Sequence, residues 1–166
     1  MSQVVWRIAA DTTRYPADDL LGGGAKATGG RWNAPDHAVV YASTSRALAC
    51  LETVVHLNAG GLPLNRYLVE ISIPDAVWAA ARRETAASLP VGWDAEPASM
   101  TSIEFGTDWL RGMGSAVLVV PSVIVPEEVN VLINPAHADA VGIFGSKVRK
   151  WLFDPRLMGT GSGPFP

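Results

Sequence analysis

Cysteine is almost missing. Cys50 is the only one in 166 residues, so no disulfide can form within the chain and a zinc site built on thiolates is excluded. Such usage suits a reducing cytoplasm, where the chain is expected to act. Charge is scarce as well: charged residues make up 17% against 48% hydrophobic, a balance that excludes a disordered chain and leaves apolar surface for a partner to cover. The formal net charge is -3 and no segment gathers Lys and Arg into a stripe, so direct contact with nucleic acid is not expected. Long apolar runs are also lacking. Nowhere do about 18 apolar residues follow one another, and Met1–Arg7 offers no basic start to an apolar stretch, so neither a membrane span nor a signal peptide is expected.

What is present reads as one domain, since 166 residues suffice to bury a core without staples. Val4 to Ala9 reads as a first strand carrying Arg7. Leu20 to Gly30 holds five glycines and reads as a loop whose backbone can approach a ligand, although no Gly-Lys-Ser/Thr makes it a P-loop. Val39–Ala42 is β-prone, and a helix is expected from Arg46 to Leu57, with Leu48, Leu51 and Val55 toward the core and Glu52 and His56 on another face. Leu68 to Ile73 alternates as a half-buried strand that Pro74 stops. Residues 75–98 read as a short helix and a loop. A Ser99-capped helix to Gly114, with Ile103, Gly106, Leu110 and Met113 on one face, precedes strands at Ala116–Val120, Val129–Ile133 and Val148–Phe153. The elements follow no regular βαβ period, which predicts a mixed α+β domain. The tail 159–166 is expected to be flexible.

The N-terminal third gathers Arg7, Arg14, Tyr15, the glycine stretch, Arg31, Trp32, Asn33, Tyr41, Glu52 and His56. Guanidinium groups grip phosphate oxygens through a planar fork, glycines admit close backbone approach, and aromatic rings stack on bases. A carboxylate beside a sugar stabilises an oxocarbenium-like transition state. Singly, each residue also has a plain structural role: Arg31 stacked on Trp32, Tyr41 in the core, and Glu52 paired with His56 on a helix surface.

Their order and spacing carry more. Gly29-Gly30-Arg31-Trp32-Asn33, Val40-Tyr41-Ala42-Ser43 and Leu48-Ala49-Cys50-Leu51-Glu52-Thr53-Val54-Val55-His56 resemble the RES domain, the toxin half of RES-Xre toxin-antitoxin modules. The likeness runs on through Pro90-x-Gly92-Trp93, Gly106-x-Asp108-Trp109-Leu110, Val120-Pro121-Ser122, Asn130-x-Leu132-Ile133-Asn134-Pro135 and Phe153-Asp154-Pro155-Arg156-Leu157. A single RES domain is thus expected over residues 1–158, with a compact mixed-sheet fold similar to ADP-ribosyltransferase toxins. One departure is local: Ala34-Pro35-Asp36-His37 stands where many relatives have a Pro-Gly turn.

The resemblance implies a bacterial type II toxin that depletes NAD by cleaving its nicotinamide–ribose bond, through phosphorolysis or hydrolysis. Arg31 would hold the dinucleotide, Tyr41 would stack near the nicotinamide or its ribose, and Glu52 would stabilise the ribosyl cation. Arg14, Tyr15 and Ser122 would line the same pocket, with Arg7, Asn33 and His56 as supporting positions. No bound cofactor and no metal is implied; NAD is the substrate, with inorganic phosphate a candidate co-substrate. The implied partners are an Xre-type helix-turn-helix antitoxin covering the active site and a second RES copy in a homodimer. Two other readings stay open: a mono-ADP-ribosyltransferase acting on a specific host protein, and an antitoxin-binding module without activity.

Overall fold

The structure is a computed structural model in which residues 1–57 and 61–158 are described. The expected tail, 159–166, lies outside them. Strands β1 (Ser2–Ala9), β2 (Val40–Ser43), β3 (Tyr67–Pro74), β4 (Arg82–Arg83), β5 (Val117–Pro121), β6 (Val129–Ile133) and β7 (Phe144–Lys150) form one seven-stranded sheet in the order β4-β5-β6-β2-β1-β3-β7. Helices α1 (Gly23–Thr28), α2 (Arg46–Val54), α3 (Asp75–Ala79) and α4 (Met100–Gly112) are interspersed among them. All strand pairs are antiparallel except β4–β5, which is parallel, so the chain is a mixed α+β domain as its element order predicts.

Side-chain alternation assigns the two faces of this sheet. Val5, Val40, Ala42, Val69, Ile71, Val117, Val119, Val131 and Ile133 build the core on one face. The other face is divided. Trp109 and Leu110 of α4 pack with Trp32, Trp93, Leu118, Val120 and Leu132 over one half, while Ala49 of α2 packs with Trp6, Ile8, Leu68 and Phe153 over the other. Between these halves the sheet has a seam: β1 pairs with β3 at every position from Ser2 to Ala9, but with β2 only at Trp6↔Ser43. The site opens along that seam.

Several expectations are corrected. The glycine stretch is not a plain loop, because Gly23–Thr28 is helical after Gly22, whose left-handed φ of 69° starts the turn. A Cβ on Gly22 would lie 2.7 Å from the Val39 backbone nitrogen, so the position has neither the conformation nor the room for a side chain. Helix α2 ends at Val54 instead of Leu57, and Leu51 and Val55 are exposed. The inward face carries Leu48, Ala49 and Glu52, spaced for one side of a helix, so the carboxylate shares the buried face. Ser45 caps this helix, accepting from the Leu48 amide at 3.1 Å.

In α4 the buried residues are Ser102, Gly106, Thr107, Trp109 and Leu110, whereas Met113 is a half-exposed left-handed C-cap. Ser99 stands at the N-cap, but its hydroxyl donates to the Gly92 carbonyl at 2.9 Å and leaves the helix amides uncapped. Within 75–98, Arg82–Arg83 forms a strand against Leu118 and Val119, because a sheet edge outweighs the helical propensity of the alanine stretch. The last strand spans Phe144–Lys150, about one turn of chain before the expected Val148–Phe153, its register being set by β3.

Candidate active site

A cavity of about 500 Å³ lies along the seam, a size suited to a small-molecule ligand. Its walls come from β1 (Trp6–Ala9), from α1 and the residues around it, from Arg31 and Trp32, from Tyr41–Ser43 of β2, and from Ala49, Glu52, Thr53 and His56 on and after α2. Pro121, Val123 and Asn130 close the far side.

Glu52 is the carboxylate of this cavity. Its Oε1 accepts from Ser122 Oγ at 2.8 Å and from Asn130 Nδ2 at 2.6 Å. Both donors are themselves fixed. Ser122, wholly buried, accepts the Ile124 and Val125 amides at 3.1 Å in the turn after β5, and Asn130 Oδ1 accepts from the Ser43 hydroxyl at 2.7 Å. Two donors on one oxygen hold the carboxylate in orientation, and among the described residues no donor engages Oε2. Such an arrangement fixes the carboxylate beside the cavity and leaves Oε2 unengaged among the described residues.

Tyr41 lies in the wall, yet its hydroxyl is committed: it donates to Asn33 Oδ1 at 2.6 Å and accepts the Trp32 amide at 3.0 Å. Burial pushes the phenol well above its ordinary value, so it stays neutral. A Cβ on Gly30 would meet this hydroxyl at 2.8 Å, which explains the glycine before Arg31. Asn33 sits buried beneath the wall, with its Nδ2 donating to the carbonyls of Ala25, Ala34 and His37. It therefore ties α1 to β2 and supports the site from outside.

Arg31 borders the cavity, but its fork turns away toward the segment before α4. Nη1 donates to the carbonyls of Trp93 and Ala95 at 3.3 and 2.8 Å, and Nη2 pairs with Glu96 at 2.6 Å. It does not stack on Trp32, which instead stacks on Trp93. Arg7, also in the wall, donates only to the Asp19 carbonyl, at 3.2 Å, among the described residues. Burial lowers its pKa while nearby Asp19 opposes the shift.

Tyr15 lines the cavity against the first turn of α1. Arg14, two residues before Pro16, is exposed and is not part of the lining. His56 lines the mouth one turn after Glu52; its Nδ1 donates to the Glu52 carbonyl at 2.6 Å, so the four-residue spacing joins ring to backbone and not to the carboxylate. The structure thus brings Arg7, Tyr15, Arg31, Tyr41, Glu52 and His56 to one cavity, with Ser122 and Asn33 behind it. Sequence reasoning missed Ser43, Asn130 and Arg66, of which the last lines the mouth. Asn130 stood within a recognised block, but nothing in its spacing linked it to a carboxylate 78 residues earlier.

The chain is an α+β domain whose sheet is split at a seam, with one hydrogen-bonded carboxylate lining a cavity between cationic and aromatic walls. The RES domain profile matches residues 4–154, and the chain belongs to this family. It is 65% identical over 158 residues to a protein of Sphingobium sp. (strain YBL2) named Prs ADP-ribosylating toxin, covering 95% of this chain and 98% of that one. It is 37% identical over 145 residues to Toxin Res of Yersinia enterocolitica, covering 87% and 93%, and 35% identical over 142 residues to Toxin Res of Pseudomonas putida, covering 82% and 88%. Among the described residues no helix is long and apolar enough to cross a membrane.

Proposed function

We propose that this chain is a bacterial toxin that breaks the nicotinamide–ribose bond of NAD and passes ADP-ribose to an acceptor. The observation that carries the reading is Glu52, which lines a cavity of about 500 Å³ and whose Oε1 is pinned by Ser122 and Asn130 while Oε2 takes no donor among the described residues. In NAD the nicotinamide is a cation, so it departs as a neutral molecule and takes the C1′–N electron pair with it. Little proton transfer is needed. The protein has to position the dinucleotide and set negative charge beside the developing ribosyl cation, which Oε2 does through the ribose hydroxyls. Arg7, which makes one side-chain hydrogen bond among the described residues, and Arg31 supply positive charge for the pyrophosphate.

The acceptor attacks C1′ with its own lone pair and loses its proton to solvent. Water or inorganic phosphate as acceptor would deplete NAD; a protein side chain would give mono-ADP-ribosylation. The 65% identical relative, named for ADP-ribosylating Prs, favours a protein acceptor. Purified protein incubated with NAD is expected to release nicotinamide, and Glu52→Gln to slow the release by at least about 10²-fold. Parallel reactions in water alone, with inorganic phosphate, and with cell extract and labelled NAD assign the acceptor by where ADP-ribose ends. No nicotinamide release in any arm would refute the reading.

The proposal includes an Xre-type antitoxin that covers the cavity and supplies the DNA contact, and a RES homodimer. Leu21, Val55, Leu64 and Ile124 support a covering partner: each is an exposed large apolar residue within two positions of a cavity-lining residue.

A further inference from the structure

Asn130 lines the cavity on β6 and meets Glu52, but an amide is an ambiguous partner. Its nitrogen and oxygen ends have almost the same shape, and only the nitrogen can donate to a carboxylate. An oxygen at 2.6 Å from Glu52 Oε1 would repel it. The carboxylate itself removes the ambiguity, since it only accepts and so draws Nδ2, and Ser43 braces that choice from the other end, its buried hydroxyl donating to Asn130 Oδ1 at 2.7 Å. The distance between the two side chains is set by the sheet: Ser43 and Asn130 are direct partners in the β2–β6 ladder. Directly opposed residues on one face of an antiparallel pair have neighbouring Cβ atoms, which is close enough for this contact. The other donor, Ser122, is locked independently by the turn after β5.

We infer that Asn130, braced by Ser43 across the β2–β6 ladder, is a positioning residue that holds the Glu52 carboxylate by Oε1 and leaves Oε2 for the substrate. The inference rests on the NAD-cleaving reading. Asn130 acts through Glu52, and its loss leaves Ser122 as a single donor about which the carboxylate can swing. A small misplacement of a catalytic group is enough to cost about 10²-fold in rate. Asn130→Asp tests the chemistry with an almost unchanged shape. A second carboxylate would then face Glu52 at hydrogen-bond distance; two like charges so close do not both ionise, and the pair retains a shared proton.

The experiment is steady-state nicotinamide release from NAD by wild type, Asn130→Ala, Ser43→Ala and Asn130→Asp, with melting temperatures as the folding control. For Asn130→Ala, kcat is expected to fall roughly 10- to 100-fold with KM for NAD within about twofold, the signature of an interaction made in the transition state. Ser43→Ala shifts kcat in the same direction by less. Asn130→Asp gains an ionisation in its pH–rate profile that wild type and Asn130→Ala lack, and it carries the test if Asn130→Ala does not fold. Unchanged kcat in Asn130→Ala overturns the inference, as does a raised KM at constant kcat, which would make Asn130 a substrate contact. Absence of nicotinamide release from the wild type itself refutes the reaction, and the inference with it; an active wild type beside an equally active Asn130→Ala refutes the inference alone.

Discussion

At the scale of single residues, the site separates side chains that face the cavity from side chains that hold its walls. Glu52 and Arg7 line the cavity with polar atoms unengaged among the described residues, whereas Tyr41 and Arg31 spend most of their polar atoms on the protein. Tyr41→Phe would strand the Trp32 amide and Asn33 Oδ1, at a cost of roughly 1–3 kcal/mol. A clear fall in melting temperature by calorimetry is the expected result, and an unchanged one would deny the wall role. Glu96→Ala should be nearly silent in the same measurement, within about 1 kcal/mol, because that carboxylate is 76% exposed and its ion pair is screened. The identities of Arg31, Tyr41 and Glu52 as a cluster were legible from motif order. Their partners were not, since which way a fork or a hydroxyl points depends on residues brought together from distant segments: Glu96 for Arg31, Asn130 for Glu52.

At the scale of elements, strands with clean alternation were legible. Leu68 to Ile73 lies where its pattern puts it, because burial against a core enforces period two, and Val129–Ile133 lies where its mostly apolar run puts it. Elements decided by neighbours were not. The glycine stretch is helical because Tyr15 packs on its first turn and Gly22 fits under Val39, and β4 exists because β5 offers an edge. Gly106 shows how tight such contacts are: a Cβ there would run into the Trp32 carbonyl. Gly106→Ala is therefore expected to destabilise by about 1–3 kcal/mol or more through overpacking, despite alanine's better helix propensity. Urea unfolding checks this, and a stabilised variant would show that α4 can move away. Asp36 holds a left-handed φ of 69° in the turn that follows Asn33. Asp36→Gly should be tolerated there and Asp36→Val should lower the melting temperature, since a β-branched residue is an outlier in that region.

The Asp11–Lys147 pair joins the end of β1 to β7 across the sheet edge, and the hydrogen bond from Lys147 holds the Asp11 carboxyl below its usual range. Its contribution is complete above the ordinary carboxylate value of about 4 and is lost as the pH falls through the lowered one. Lys147→Met should flatten that part of the acid-unfolding curve.

At the scale of the whole molecule, the fold class followed from the order of elements, but the seam did not, since one-residue pairing between β1 and β2 is invisible in sequence. That seam accounts for the architecture of the site: two half-cores, under α2 and α4, leave a cavity between them, and α2 turns its inward face, with Glu52, toward it. The central claim is that this carboxylate drives departure of nicotinamide. The direct measurement is chromatographic detection of free nicotinamide from NAD incubated with wild type and with Glu52→Gln, the variant first shown to keep the wild-type melting temperature. Release by the wild type with at least about a 10²-fold loss in the variant is predicted; equal release by the two proteins, or none from the wild type, would contradict it.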